Sequence, residues 1–340
     1  MDLTFVIPDV NAFQSGGNIY NKNLVLGLRE INLHPSVMDL KAFQQRDAAN
    51  LKGYYFFDTL YFKDLSKIFP QKNEDCHFFL IVHHLESLYP PKGWDSATYF
   101  LENELAYLQK FDGFVVNSGF TALYLINKGL LQKKVFLPPA IDFELPQNKI
   151  KEIPPIKALI VANLVERKGI LPFLQLVEDS PIVHKKNVTI QLVGSAILEK
   201  SYAEDCLEFI ENHSDLKKIV SYHGEIGQEQ VRKLYQEATF FISTSYMETF
   251  GMALQEAAWF GLPILALDGG NASAHFKHGY NGMLAADMEE LTIELNRWVN
   301  ELGRITHFYD NIQRQVPKKN YTWKIAAKTL VDRISNSKSS

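Results

Sequence analysis

The sequence predicts an α/β protein built from two doubly wound domains. Three observations predict it. Residues 238–267 read as a β-loop-α-β unit: an apolar run Ala238–Ile242, a helix over roughly Phe250–Phe260, a Gly261-Leu262-Pro263 stop and a second apolar run Ile264–Leu267. Both halves of the chain open on a short apolar run, Leu3–Ile7 and Ile156–Ala162, and then alternate strand-length and helical segments. Between them Glu144–Pro155 is polar, rich in Pro and Lys and without periodicity, which marks a linker. The expected domains are residues 1–145 and 156–320, joined by a linker at 146–155 and followed by a last helix at 321–334. A chain of 340 residues has room for both. Two such domains are expected to face one another across a cleft.

Composition excludes several classes. A formal net charge of −4 gives no bulk electrostatic reason to bind nucleic acid. Cys76 and Cys206 fall in different expected domains and lack metal-ligand spacing, so a reducing compartment is expected. The opening MDLTFVIPDV carries an acid at position 2 and too short an apolar stretch for a signal peptide. No apolar run approaches the roughly 20 residues of a membrane-spanning helix. The expectation is a cytoplasmic protein, with a peripheral contact at the inner face of a membrane left open.

In the first half, the strand Leu3–Ile7 leads through Pro8–Gly17 to a helix over Asn18–Glu30. Gly16-Gly17 before a helix start can cradle a phosphate; the alternative is a loop with Asn18 as N-cap. G-x-G-x-x-G is absent, so this is not a dinucleotide fingerprint, which argues against a dinucleotide-dependent oxidoreductase, although Asp39 has the spacing of a ribose-binding acid. Val37–Leu40 and Gly53–Phe57 are further candidate strands, and the Tyr-, Phe- and Lys-rich stretch Asp47–Asn73 reads poorly. Phe78–Val82 is a buried strand ending on His83-His84, candidates for hydrogen bonding to a substrate or for structural histidines. An aromatic loop, Ser87–Trp94, precedes a helix over about Ser96–Lys110 with Glu102 and Glu104 on its polar face. Gly113–Asn117 is the next strand, with Ser118 and Thr121 as caps for the helix after it, and Val135–Leu137 the last.

In the second half, Arg167-Lys168 sits at the first strand-to-helix loop, where two cations would neutralise a diphosphate leaving group. Strands follow at Val188–Val193, closed by Gly194, and at Ile219–His223, closed by Gly224-Glu225. The central stretch carries Glu248 at the helix entrance and Glu256 inside the helix. On one helix they would lie about 12 Å apart along the axis. Unbonded amides of Thr249, Phe250 and Gly251 at the helix start would hold a diphosphate between them. The alternative is an N-terminal acid at 248 and a solvated glutamate at 256. Asp268-Gly269-Gly270-Asn271 allows close approach of a ligand or is a turn. Met288–Leu302 is an amphipathic helix. The final helix, Tyr321–Ile334, is expected to turn Trp323, Ile325, Ala326, Leu330 and Val331 inward, and the tail from Ser335 to be disordered.

Glu248-x7-Glu256, set within S-x-x-E-x-F-G-x-x-x-x-E-A-x-x-x-G-x-P, resembles the donor-site signature of retaining glycosyltransferases of family 4, which have the GT-B fold. The resemblance is strongest over Ala158–Leu284 and weaker over Leu3–Asp142. It implies that Glu248 lies by the donor sugar and Glu256 holds the ribose hydroxyls. It implies that Gly16 and Gly17 lie against the donor phosphates and the acceptor, and that His83, with His84 as the alternative, contacts the sugar. The family pattern G-R-x-x-x-x-K-G is met by Lys168-Gly169. Asn163 stands where the family has arginine, and Arg167 is the candidate to replace its charge. Gly194 and Glu225 correspond to turns beside the nucleotide and its base. Pro138–Asp142 resembles a family turn with Ala140 for its glycine, and Tyr280–Leu284 a family hairpin. The last helix is implied to return to the first domain.

The expected function is therefore transfer of a hexosyl unit from a nucleotide diphosphate sugar, with UDP or GDP as nucleotide, to a hydroxyl of an unidentified acceptor. The anomeric configuration is expected to be retained. The catalytic residues are expected to be Glu248, His83, Lys168 and Arg167. Asn163, Gly194, Glu225, Thr249, Phe250, Gly251, Glu256 and the Gly16-Gly17 pair are expected to bind the donor. No metal or other cofactor is expected, since the chain has no clear D-x-D site. A nucleotide sugar epimerase of the same architecture and a non-catalytic sugar-binding subunit are the alternatives, with a dinucleotide-dependent oxidoreductase behind them.

Overall fold

The structure is a computed structural model of the chain and describes residues 1–9, 15–67, 72–141, 155–314 and 321–335. The expected linker except Pro155, the tail beyond Ser335, Asp142 and part of the loop before Gly16 lie outside the described residues. The chain divides into two compact units, residues 1–142 with 319–340, and residues 143–318.

Among the described residues, the sheet of the first unit has six parallel strands: β1 (Leu3–Val6), β2 (Ser36–Met38), β3 (Gly53–Asp58), β4 (Cys76–Val82), β5 (Gly113–Val116) and β6 (Lys133–Phe136). Their order is β2-β1-β3-β4-β5-β6. The inner strands are apolar along nearly their whole length because helices cover both faces of a parallel sheet. Phe56 of β3 lies opposite Phe79 of β4, and Phe5 of β1 stacks on Phe56 with ring centres 4.9 Å apart. The strand order reverses between β1 and β3, so the carboxyl ends of those two strands form this unit's switch point.

The helix Gly16–Glu30 follows β1 and buries Tyr20, Leu24 and Leu28. The last described helix, Trp323–Ser335, packs against it with Trp323, Ala326, Ala327, Leu330 and Ile334 buried. The two approach so closely that a Cβ on Gly27 would come within 2.4 Å of the Trp323 carbonyl oxygen. Trp323 in turn meets the edge of Tyr20, centroid to centroid 5.2 Å. Tyr20 is fixed at its far end, where its hydroxyl donates to the Leu137 carbonyl at 2.8 Å.

The sheet of the second unit also has six parallel strands: β7 (Ile156–Val161), β8 (Val188–Val193), β9 (Val220–Tyr222), β10 (Phe240–Ser243), β11 (Ile264–Leu267) and β12 (Gly282–Ala285). The order β12-β11-β10-β7-β8-β9 is that of a dinucleotide-binding sheet, with its switch point between β7 and β10. Trp298, fully buried on the helix Met288–Asn300, packs edge-on against Phe240 at 5.1 Å and anchors one face. Both sheets with their helices have the two-domain α/β architecture of the GT-B fold.

Several boundaries differ from expectation, each for a local reason. The first helix starts at Gly16 and not Asn18, because Ser15 is the N-cap and its hydroxyl accepts from the Asn18 amide at 3.1 Å. Gly16 and Gly17 are thus the first turn of a helix and not a loop. β2 ends at Met38, and Asp39 caps the next helix by accepting from the Ala42 amide at 2.7 Å. The stretch Ser96–Leu108 contains a π-helical turn at Phe100–Glu104. That turn rotates Glu104 off the expected polar face; it is only 2% exposed, and Ser87 donates to it. Ile325 is exposed and not inward. Tyr280–Leu284 is no hairpin, since β12 runs parallel to β11.

Tyr20 and Trp323 join helices far apart in sequence, so truncating the tryptophan removes the main apolar anchor of the last helix. Trp323→Ala is expected to cost about 3–5 kcal/mol of stability. Urea denaturation followed by far-ultraviolet circular dichroism measures it, and a loss under about 1 kcal/mol would contradict this packing role.

Candidate functional site

The second unit collects its polar residues at the carboxyl ends of β7 and β10. After β7 the chain makes a single turn, Glu166–Lys168, which Gly169 closes in the left-handed conformation at φ 63°. A Cβ on Gly169 would lie 2.5 Å from the Thr244 carbonyl oxygen, so only glycine lets this turn press against the chain leaving β10. The contact is tied by two hydrogen bonds. The Thr244 hydroxyl donates to the Lys168 carbonyl at 2.5 Å, and the Tyr246 amide to the Arg167 carbonyl at 3.0 Å. This clamp brings the Lys168 ammonium onto the Glu248 carboxylate, and the two form an ion pair with side chains only 15% and 12% exposed.

Burial on its own would raise the Glu248 carboxyl. The Lys168 and Arg167 cations outweigh it and hold Glu248 below the usual carboxylate range. Burial pulls the Lys168 ammonium below the ordinary lysine value, opposed by Glu248 and reinforced by Arg167. Arg167, half-buried beside them, therefore acts on both members of the pair. The structure brings Lys168, Arg167 and Glu248 together.

The remaining donor candidates of this unit are spread along the same sheet edge. Asn163 leaves β7 and its side-chain oxygen accepts from the Ser195 amide at 3.0 Å, which ties the ends of β7 and β8. Gly194 is needed for chain packing, because a Cβ there would fall 1.9 Å from the Ala162 carbonyl oxygen. Glu225 is exposed beyond β9, the edge strand.

Glu248 is not at a helix entrance. It pairs with Gly270 in an isolated parallel bridge, and its carbonyl accepts from the Asn271 amide at 2.7 Å. Gly269 and Gly270 make this possible: a Cβ on either would come within 2.4 Å of the Tyr246 or Glu248 carbonyl oxygens. The glycine pair in Asp268–Asn271 thus admits the chain itself. The helix runs over Met252–Trp259, two residues later than expected at its start, because Gly251 is its N-cap in the left-handed region at φ 87°. The amides without an intrahelical acceptor are therefore those of Met252, Ala253 and Leu254, and not of Thr249 and Phe250. Since only Glu256 is helical, the 12 Å spacing along one axis does not apply. Phe250 is buried, and its carbonyl accepts from the Asn271 side chain at 2.9 Å and from His275. His275 and Asn271 fix this turn, and nothing in their spacing marked them.

Glu256 is not the solvated helix residue of the simpler reading. It is half-buried against the helix Gln228–Glu237. Burial pushes its carboxyl up to about 7, against the lowering influence of the Tyr235 hydroxyl and Arg232.

In the first unit the polar residues gather at the carboxyl ends of β1, β3 and β4. The His83 ring lies against Gly17, where a Cβ would come within 3.0 Å of the ring, and edge-on to Tyr20 at 5.1 Å. Its Nε2 is 3.0 Å from the Asn21 side-chain oxygen and 3.6 Å from Asp58 Oδ2. The Asn21 amide donates to Asp58, which is fully buried at the end of β3. Burial lowers the His83 pKa, against the opposing pull of Asp58. The amides of His83 and His84 both point at the Thr59 hydroxyl, at 3.0 and 3.4 Å, and His84 turns away to lie beside Glu86. Gly16 is exposed at the helix start. Asp58 and Asn21 were not among the sequence candidates. The available signal was an aspartate closing an apolar run in a stretch too aromatic to parse.

Among the described residues, no group of three or more His, Cys, Asp or Glu is arranged to hold a metal, and no helix is long and apolar enough to cross a membrane.

Residues 142–315 match the family described as glycosyl transferases group 1. An uncharacterized glycosyltransferase of Methanocaldococcus jannaschii is 25% identical over 177 residues, 51% of this chain and 43% of that protein. The chain's matches cover 43% and 24% of the curated relatives it resembles, less than half of their length. In fold, the chain is similar to a sucrose-phosphate synthase from Thermosynechococcus elongatus, with TM-score 0.77, 17% identity and 99% of both chains covered. It is similar as well to Anabaena Alr3699/HepE in complex with UDP-glucose, with TM-score 0.70, 15% identity, and 98% of this chain and 100% of that one covered.

Folding favours the protonated form of a carboxyl whose pKa is higher folded than unfolded. The burial of Glu256 therefore costs nothing below the unfolded value near 4.5, and the cost grows as pH rises to about 7. Glu256→Gln removes that titration. The variant is expected to melt about 2–6 °C above the parent protein at pH 8. The gain should shrink between pH 7 and 4.5 and vanish below it. A pH-independent difference in thermal melting would contradict the assigned environment.

Proposed function

The chain belongs to the glycosyl transferases of group 1, and we propose that within them it is a retaining glycosyltransferase of family 4. It moves a hexosyl unit from a nucleotide diphosphate sugar to a hydroxyl of a glycan, lipid or small-molecule acceptor. The observation that carries this reading is the buried Lys168–Glu248 pair, with Arg167 beside it, at the switch point of the second sheet. Ligands of open α/β sheets collect at that place, and a diphosphate leaving group is what two cations there would serve.

In this reading the donor diphosphate competes with Glu248 for Lys168. Lys168 and Arg167 then stabilise the charge that develops as the bond from the anomeric carbon to the β-phosphate oxygen breaks. The amides of Met252–Leu254 add the positive end of a helix. Glu248, released from its cation, accepts from sugar hydroxyls. His83 positions the sugar. The new bond forms to the acceptor oxygen on the face the phosphate leaves, and the acceptor proton passes to the departing phosphate. Configuration is thereby retained and no metal takes part. Glu256, once ionised, accepts from the ribose diol. The UDP-glucose complex of the structurally similar Alr3699/HepE supports a uridine nucleotide.

One observation favours a second reading, a sugar-binding subunit without turnover. Asn163 stands where the resembled family carries arginine, and its oxygen already serves Ser195. Arg167 keeps the charge count at the site, which favours the enzyme.

A thermal-shift screen against UDP, GDP, ADP, their sugar conjugates and NAD tests the donor class, because a ligand of the folded state raises the midpoint by mass action. A shift with one nucleoside diphosphate series is expected, and a shift with NAD alone would replace the reading. Lys168→Ala is expected to lower kcat roughly tenfold or more. Glu256→Ala should weaken donor binding, measured by calorimetry. Wild-type behaviour in both variants would remove this site assignment.

A further inference from the structure

Asp58 closes β3 at the switch point of the first sheet and is 0% exposed. One of its oxygens accepts from the Leu60 amide at 2.7 Å, and the other from the Asn21 side chain. A carboxylate only accepts, so the group Asn21 turns toward it must be the NH2. The carbonyl oxygen of the Asn21 amide then faces His83 Nε2, at 3.0 Å. An amide oxygen also only accepts, so the proton of the neutral ring sits on Nε2. The steric frame agrees with this orientation. Gly17 leaves room for the ring and Tyr20 meets its edge, while the Thr59 hydroxyl holds the His83 backbone.

We propose that Asp58 and Asn21 are positioning residues that act through His83: the carboxylate orients the amide, and the amide fixes the plane and the tautomer of the imidazole. This rests on the reading of His83 as a group that meets the donor sugar, and it adds two residues to the machinery of that reaction. The arrangement costs the fold a buried carboxylate, and the Leu60 and Asn21 hydrogen bonds satisfy it. A carboxylate with only a structural task at a strand end would not need a relay that ends on a histidine ring.

Nitrogen-15 spectra of the imidazoles, with the His83 signals assigned by their loss in His83→Ala, read the relay without any turnover. In the parent protein at pH 8 His83 is expected in the Nε2–H tautomer. In Asn21→Ala a mixture of tautomers is expected. In Asp58→Asn, the nearly isosteric change, the ring should titrate at lower pH because the Asp58 carboxylate that raises it is gone. Each single variant should lower kcat/KM by roughly tenfold to a hundredfold. Asp58→Asn combined with His83→Ala should lose no more than His83→Ala alone. An unchanged tautomer and titration in both Asp58→Asn and Asn21→Ala overturns the relay, and so do additive losses in the double variant. Should Asp58→Asn not fold, Asn21→Ala decides alone through the tautomer. If His83→Ala turns over like the parent protein while the spectra change as expected, the relay stands and the donor contact of His83 falls.

Discussion

A lysine and a glutamate packed against each other, with most of both side chains out of water, impose a strict demand on the second unit. Taking both charges out of water costs several kcal/mol per ion, and their attraction recovers that only when the geometry is held tightly. The second unit holds it with backbone. Gly169 in a left-handed turn lets the chain after β7 touch the chain after β10, and the Thr244 and Tyr246 hydrogen bonds lock the two together. The ion pair is the consequence of that contact, since Lys168 and Glu248 are carried by the segments that follow the two strands on either side of the switch point.

The first unit builds its polar site at the equivalent place by different means. There Asp58, Asn21 and His83 are joined by hydrogen bonds at the carboxyl edge of the sheet, and aromatic packing supplies the support that glycine turns supply in the second unit. Tyr20 bears on His83 and is itself backed by Trp323 from the last described helix. The orientation of a ring at the sheet's carboxyl edge is thereby coupled to the end of the sequence. Removing that helix would loosen the ring as well as the core.

Most of the strands were legible because a parallel strand covered on both faces is an unbroken apolar run, as Phe78–Val82 and Ile264–Leu267 are. Lys168 and Glu248 were legible because a turn and a motif marked them. What escaped notice depends on tertiary contact. Asp58 gains its meaning only when β1, β3 and β4 lie side by side. Glu104 reads as a solvent-facing residue under a regular helical period, and the π-turn at Phe100–Glu104 shifts that period. Gly269 and Gly270 suggest room for a ligand, whereas the atoms that fill the room are the carbonyls of Tyr246 and Glu248. Sequence shows that a glycine is required but not which neighbour requires it.

The eight-residue spacing of Glu248 and Glu256 has a similar origin. On a single helix it would place the carboxylates on a common axis, but here they belong to two different structures. Glu248 is fixed by its bridge to Gly270 in a loop, and Glu256 by a helix that begins four residues later. Gly251 joins them by reversing the chain in the left-handed region, packed so closely that a Cβ would reach 3.0 Å from Leu254 and 3.2 Å from His275. The Phe250 carbonyl, held by Asn271 and His275, sets the direction from which the turn is entered. The distance between the carboxylates is therefore governed by one turn and its two side-chain braces, and not by helical rise. A change at Asn271 or His275 would alter that distance without touching either glutamate. The two acids would keep their own environments, one charged beside Lys168 and one pushed up by burial, and lose their relation to each other.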